Sequence, residues 1–168
     1  VEYKDTGHHD PVSEADLKAE ALLIERITAR YPDHGILSEE STDTTWANRD
    51  FLWVLDPLDG TVNYLNRYPC FGVSVAVLFQ GSPVVGALFI LSPEAAEGQV
   101  LHARLHGGAF LNDAAIRVSN SEEPSQTGLL SMAGFFRSQY RIGRPLAHRA
   151  GNVRVTGSIV YELAQVAS

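Results

Sequence analysis

Three carboxylates stand where short apolar strands give way to polar residues: Glu39, Asp56 and Asp59. Ile36-Leu37 runs into Ser38-Glu39-Glu40-Ser41, and Phe51 to Leu55 stops at Asp56-Pro57-Leu58-Asp59-Gly60. Strand ends that open into loops are where a rigid scaffold presents reactive groups. Pro57 stiffens the turn between the two aspartates, and Gly60 permits a backbone path that a Cβ would resist. Such a turn can aim two carboxylates and one backbone carbonyl at a common point. Hard oxygen donors of this kind suit Mg²⁺, which takes one or two carboxylates, keeps waters and accepts phosphate oxygens. Each feature alone has an ordinary reading. Asp-Pro and Asp-Gly are common turn dipeptides, and Glu39-Glu40 alone is a solvated charge pair. The run Asp56 to Tyr64 with a Glu-Glu pair upstream, both at strand ends, favours the chemical reading.

The elements that must position these groups are legible in outline. Ser13 can cap a helix, and Asp16, three residues on, can reach back to it. Ala15, Leu22, Leu23 and Ile27 then give helical periodicity to about Arg30, and Tyr31-Pro32-Asp33-His34-Gly35 ends it. The polar stretch from Thr42 to Asp50 reads as a mobile loop. Beyond it the chain is strand-rich. Gly72 to Phe79 and Val84 to Leu91 flank Gln80-Gly81-Ser82-Pro83, and Gln99 to Leu105 and Ala109 to Leu111 flank His106-Gly107-Gly108. Short strands are also expected at Ile116 to Val118, Leu129 to Ala133 and Val153 to Val155. The stretch from Phe135 to Asn152 reads poorly, and a helix follows from Ser158 to Ala167. A helix followed by strands joined through short turns predicts an α+β domain with a mostly antiparallel sheet.

Composition bounds the partners. The chain has 168 residues, 45% apolar and 20% charged, with a net charge of −7. That is the balance of a globular protein. There is no basic stripe for nucleic acid and no apolar run long enough to span a membrane. The single Cys70 rules out an internal disulfide, suits a reducing cytoplasm and reads as a small buried hydrophobe. The six His show no metal-ligand spacing and are expected on the surface or in structural roles.

Asp56-Pro57-Leu58-Asp59-Gly60-Thr61-Val62-Asn63-Tyr64 resembles the D-P-[LI]-D-G-T-x-N-[FY] signature of the inositol monophosphatase family. Pro11 to Asp16, Ser38 to Ser41, Tyr68 to Ser74, Gly107 to Asn112 and Arg154 to Ser158 resemble further family segments, so the likeness covers nearly the whole chain. It implies a layered αβαβα fold, with an N-terminal metal-binding domain over residues 1–134 and the start of a second α/β domain over 135–168. It also implies Mg²⁺-dependent hydrolysis of a small sugar or polyol phosphate, inositol-1-phosphate-like, in the cytoplasm. A homodimer would be a family-like partner, with no nucleic acid or membrane involved. Fructose-1,6-bisphosphatase, histidinol-phosphatase or 3'(2'),5'-bisphosphate nucleotidase activity is the alternative within the superfamily. A non-catalytic metal- or partner-binding module is the alternative outside it.

Carried over residue by residue, the resemblance assigns metal ligation to Glu39, Asp56, the Leu58 carbonyl and Asp59. Glu39 and Thr61 would activate the attacking water, and Asp16 would support them through Thr61, although a simple helix-cap acid explains Asp16 equally well. Substrate contacts fall to Glu39, Leu58, Asp59, Gly60 and Thr61, joined by Gly157, Ser158 and Ile159 at a helix start that suits an anion. An ordinary cap is the alternative for that turn. The family's W-D-x-A-A-G segment has no counterpart, because Trp46 and Trp53 precede Ala47 and Val54. The chain thus reads as shortened at both ends. Alone it is expected to be weakly active or inactive, with Val160, Leu163 and Val166 exposed.

Overall fold

The computed structural model describes residues 2–3, 11–39, 49–92, 95–120, 128–132 and 152–167. Thr42 to Asn48, most of the expected mobile loop, and 135–150, most of the poorly read stretch, lie outside them. Two short strands, β1 (Glu2–Tyr3) and β2 (Pro11–Val12), pair ahead of helix α1 (Glu14–Arg30). The expected cap closes α1 reciprocally: Ser13 Oγ accepts from the Ala15 and Asp16 amides, and the Asp16 carboxylate accepts from the Ser13 amide. Pairing three amides in this way fixes where the helix starts.

A seven-stranded sheet follows, in the order β3 (Gly35–Ser38), β4 (Phe51–Asp59), β5 (Gly72–Phe79), β6 (Ser82–Ser92), β7 (Ala95–Arg104), β8 (Gly108–Leu111) and β9 (Ala114–Ile116). All its pairings are antiparallel except β3 with β4. The one-turn helix α2 (Thr61–Leu65) leaves the end of β4. Strands β10 (Leu129–Met132) and β11 (Asn152–Val155) form a separate parallel pair, and α3 (Ile159–Ala167) ends the described chain. The architecture is the expected α+β one. Among the described residues, no helix is long and apolar enough to cross a membrane.

Helix α3 packs on β5 and β6, with Val160 and Ala164 buried against Ile90 and Leu101. Val160 is therefore not on an open face as expected, whereas Leu163 and Val166 are exposed. The helix turns Val160 and Ala164, one turn apart, to the same side. Gly72 makes this approach possible, because a Cβ there would lie 2.5 Å from the Phe89 carbonyl oxygen and 2.7 Å from Val160 Cγ1. Gly72→Ala should thus strain both the β5–β6 pairing and the seat of α3, at a cost of about 1–3 kcal/mol. Urea unfolding would read this as a lower midpoint, and an unchanged midpoint would show that the sheet and α3 absorb the added methyl.

Candidate active site

Strand β4 carries Asp56 and Asp59 past an irregularity. Asp56 pairs with Ser74 but Asp59 with Gly72, so three steps along β4 match two along β5. In a regular strand, residues three apart point to opposite faces. One extra residue restores the parity and turns both aspartates to one side. Pro57 sits inside this bulge, fully buried, where its missing N–H costs no ladder bond. The apolar strand was expected to stop at Asp56; it reaches Asp59 because the bulge lets pairing resume. Alongside, β3 runs parallel to β4 with Ser38 opposite Leu55, and the Glu39 amide donates to the Leu55 carbonyl at 3.2 Å. Glu39 is thereby held beside Asp56.

The cluster is electrostatically tense. Burial, then the charges of Glu39 and Asp59, push the Asp56 carboxyl up to about 7. One of its two oxygens, Asp56 Oδ1, is buried and has no hydrogen-bond partner among the described residues. A buried carboxylate oxygen with no donor, beside two further acids, has the donor chemistry of a cation site. Among the described residues, no group of three or more His, Cys, Asp or Glu side chains is placed to hold a metal ion. Glu39, Asp56 and Asp59 are near enough for their charges to act on one another.

Asp59 stands apart because α3 claims one of its oxygens. Its Oδ2 accepts from Ser158 Oγ at 2.5 Å and from the Val160 amide at 2.6 Å. The carboxylate thus sits on the positive end of the helix. Ser158 is buried, and its Oγ also accepts from the Tyr161 amide at 3.1 Å. Its hydroxyl therefore works as a helix cap. Gly157, in the left-handed region at φ +78°, makes the turn into α3, and Ile159 is exposed.

Gly60 adopts φ +90°, and a Cβ there would meet the Cys70 carbonyl oxygen at 3.0 Å and Ser158 Cβ at 3.1 Å. Only glycine passes this point without strain. Thr61 follows, and its Oγ1 lies within donating distance of Asp16 Oδ1 at 3.0 Å and the Leu58 carbonyl at 3.1 Å. Asp16 is buried and also accepts from Ser13 Oγ at 2.5 Å. Asp16 thus caps α1 and holds the Thr61 hydroxyl at the same time. Cys70 is buried, as expected. His34 Nδ1 accepts from Trp53 Nε1 at 3.0 Å, a structural role like that expected of the histidines.

Sequence reasoning missed three residues around this site. Asn63 Nδ2 donates to the Cys70 carbonyl at 2.6 Å and the Thr156 carbonyl at 2.7 Å. Glu162 Oε1 accepts from the Thr156 amide at 3.1 Å and Thr156 Oγ1 at 2.6 Å. Asn63 lay in plain view within the signature and Thr156 within the Arg154 to Ser158 segment; nothing in the spacing of Glu162 marks it.

The model of the Inositol monophosphatase family matches residues 1–168. Nus factor SuhB of Escherichia coli (strain K12) is 34% identical over 173 residues, covering 100% of this chain and 63% of that protein. Inositol-1-monophosphatase of Synechocystis is 36% identical over 163 residues, covering 94% of this chain and 55% of that protein. Among solved structures, the extragenic suppressor protein suhB of Bartonella henselae superposes with a TM-score of 0.83 at 29% identity, over 99% of this chain and 63% of the other. The chain thus spans less than two thirds of the length of these relatives.

Proposed function

Because the chain belongs to the inositol monophosphatase family, we propose that its protein hydrolyses a small phosphate monoester with Mg²⁺. Glu39, Asp56, the Leu58 carbonyl and Asp59 would hold the metal. The carrying observation is Asp56, pushed up to about 7 beside Glu39 and Asp59, with one buried oxygen that has no partner among the described residues. Bound Mg²⁺ would supply charge neutralisation, a lowered pKa for water and stabilisation of the leaving alkoxide.

The remaining work falls to the chain. Asp16 takes the Thr61 hydroxyl proton in a hydrogen bond, which leaves the Thr61 oxygen to accept one from water. Glu39, held beside Asp56 by the Leu55 carbonyl, would align the same water with phosphorus. Gly60 and Thr61 follow the bulge as the start of α2, where their amides can meet phosphate oxygens. Gly157 and Ile159 would border the substrate from the other side, with Ser158 acting through Asp59.

The substrate proposed is a phosphorylated polyol or sugar of the inositol-1-phosphate kind, in the cytoplasm, by a homodimer. The domain division at 134/135 belongs to the same proposal, with α3 of the second part sharing the core of the first sheet. Assaying phosphate release from inositol-1-phosphate, fructose-1,6-bisphosphate and histidinol phosphate, with and without Mg²⁺, tests it on the full-length protein. Mg²⁺-dependent release, fastest with the inositol ester, is expected. No release from any of them would favour the second reading, a non-catalytic module. That reading draws support from the Escherichia coli relative, whose name, Nus factor SuhB, is that of a factor.

A further inference from the structure

Glu162 is a buried carboxylate that the proposed chemistry does not use. It lies on α3 and turns back to the segment ahead of its own helix. Through Oε1 it takes both polar hydrogens of Thr156, from the amide at 3.1 Å and the hydroxyl at 2.6 Å. Thr156 begins the turn that the site leans on. Its carbonyl receives Asn63 Nδ2 from the signature segment at 2.7 Å, and two residues on, Ser158 Oγ reaches Asp59. Two chain segments about a hundred residues apart are therefore joined by three bonds: Asn63 to Thr156, and Ser158 and Val160 to Asp59. Glu162 is the group behind them that fixes the Thr156 end.

We propose that Glu162 is a positioning residue for Asp59. By pinning Thr156 it sets the turn whose Ser158 hydroxyl and Val160 amide orient the Asp59 carboxylate. This rests on the reading of Asp59 as a metal ligand. The physical reason is geometric. Gly157 sits at φ +78° between Thr156 and Ser158, and glycine loses more conformational freedom on ordering than any other residue. Such a turn holds one shape only where its flanks are tied. Ser158 is tied to Asp59 and to its own helix; Thr156 is tied by Glu162 and Asn63. The chemistry asks for an acceptor and not for a charge, since both Thr156 groups donate. Gln can therefore replace Glu, and Ala cannot. Groups bonded directly to a metal ligand, as Ser158 is to Asp59, typically carry about 10- to 100-fold in affinity, and Glu162 acts through that bond.

The test compares Glu162→Ala, Glu162→Gln and Ala164→Gly in the full-length protein. Ala164 is fully buried on α3 and touches none of these bonds, so its variant controls for helix stability alone. Mg²⁺ affinity by calorimetry should fall at least tenfold in Glu162→Ala, return to within about threefold of wild type in Glu162→Gln, and stay unchanged in Ala164→Gly at a comparably lowered Tm. The Asn63 side-chain amide gives a readout independent of metal. Its NMR resonances should move toward free-amide positions in Glu162→Ala only. Wild-type affinity in Glu162→Ala, an equal loss in Ala164→Gly, or no recovery in Glu162→Gln would overturn the assignment. Should the wild type itself bind no Mg²⁺, the proposed function falls, and the Asn63 amide alone decides whether Glu162 holds the turn.

Discussion

Asp56→Asn should lower phosphate release from the full-length protein at least 10³-fold and make the metal-free fold more stable. Both effects arise from one carboxyl. For function, the variant removes the charge that ties Glu39 and Asp59 into a cation site, and an amide is a poor Mg²⁺ ligand. For stability the sign follows from linkage. The Asp56 carboxyl rises from 3.8 to about 7 on folding without metal. Between those values the folded chain holds more proton than the unfolded one, so stability falls as pH rises through the window and levels off above it. The expected fall in Tm from pH 5 to pH 8 is on the order of a few degrees, because Asp56 is only partly shielded from solvent. Mg²⁺ should recover it, and Asp56→Asn should remove the contribution of Asp56 to the slope. Thermal scans at four pH values, with and without metal, check this. A wild-type Tm that rises from pH 5 to pH 8 without Mg²⁺ would mean that Asp56 is not the strained group.

Asp59 should separate the two tasks that the structure gives it. One oxygen serves α3, accepting from Ser158 and the Val160 amide; the charge serves the proposed metal. Asp59→Asn keeps an oxygen that can accept both bonds and loses the charge. Phosphate release should then drop at least 10²-fold with the unfolding midpoint nearly unchanged. Asp59→Ala loses both, leaving the buried Ser158 hydroxyl and one helix amide without their acceptor, at about 1–3 kcal/mol beyond the Asn variant. Turnover and urea unfolding on the pair read the two effects separately. Equal midpoints for Asn and Ala would show that Asp59 does not hold α3.

Much of this was written locally in the sequence, and the rest was not for identifiable reasons. The start of α1 was legible because Ser13 and Asp16 satisfy each other across one turn, a pattern contained in four residues. The strands of the main sheet were legible through short apolar runs broken by turn residues. The end of β4 was not. The bulge between Asp56 and Asp59 depends on what β5 offers opposite, and Gly72 lies outside any local window. Val160 was misjudged for a similar reason, since its burial depends on Gly72 leaving room. At the site, residue types and spacing pointed to Glu39, Asp56 and Asp59, and the family resemblance to Thr61, but neither pointed to Asp59 being shared with Ser158. That bond spans 99 positions. Thr156 was visible only as part of a family-like segment and Glu162 not at all, because their role exists only once the two segments meet.

Calorimetric titration of the full-length protein with Mg²⁺ at pH 6 and pH 8, in buffers of different ionisation enthalpy, tests the central claim most directly. If the acids around Asp56 form the cation site, Mg²⁺ must displace the proton that their crowding retains. Binding should release close to one proton at pH 6 and almost none at pH 8, and Asp56→Asn should abolish the release. Binding without proton release at pH 6, or no binding at either pH, would contradict the account.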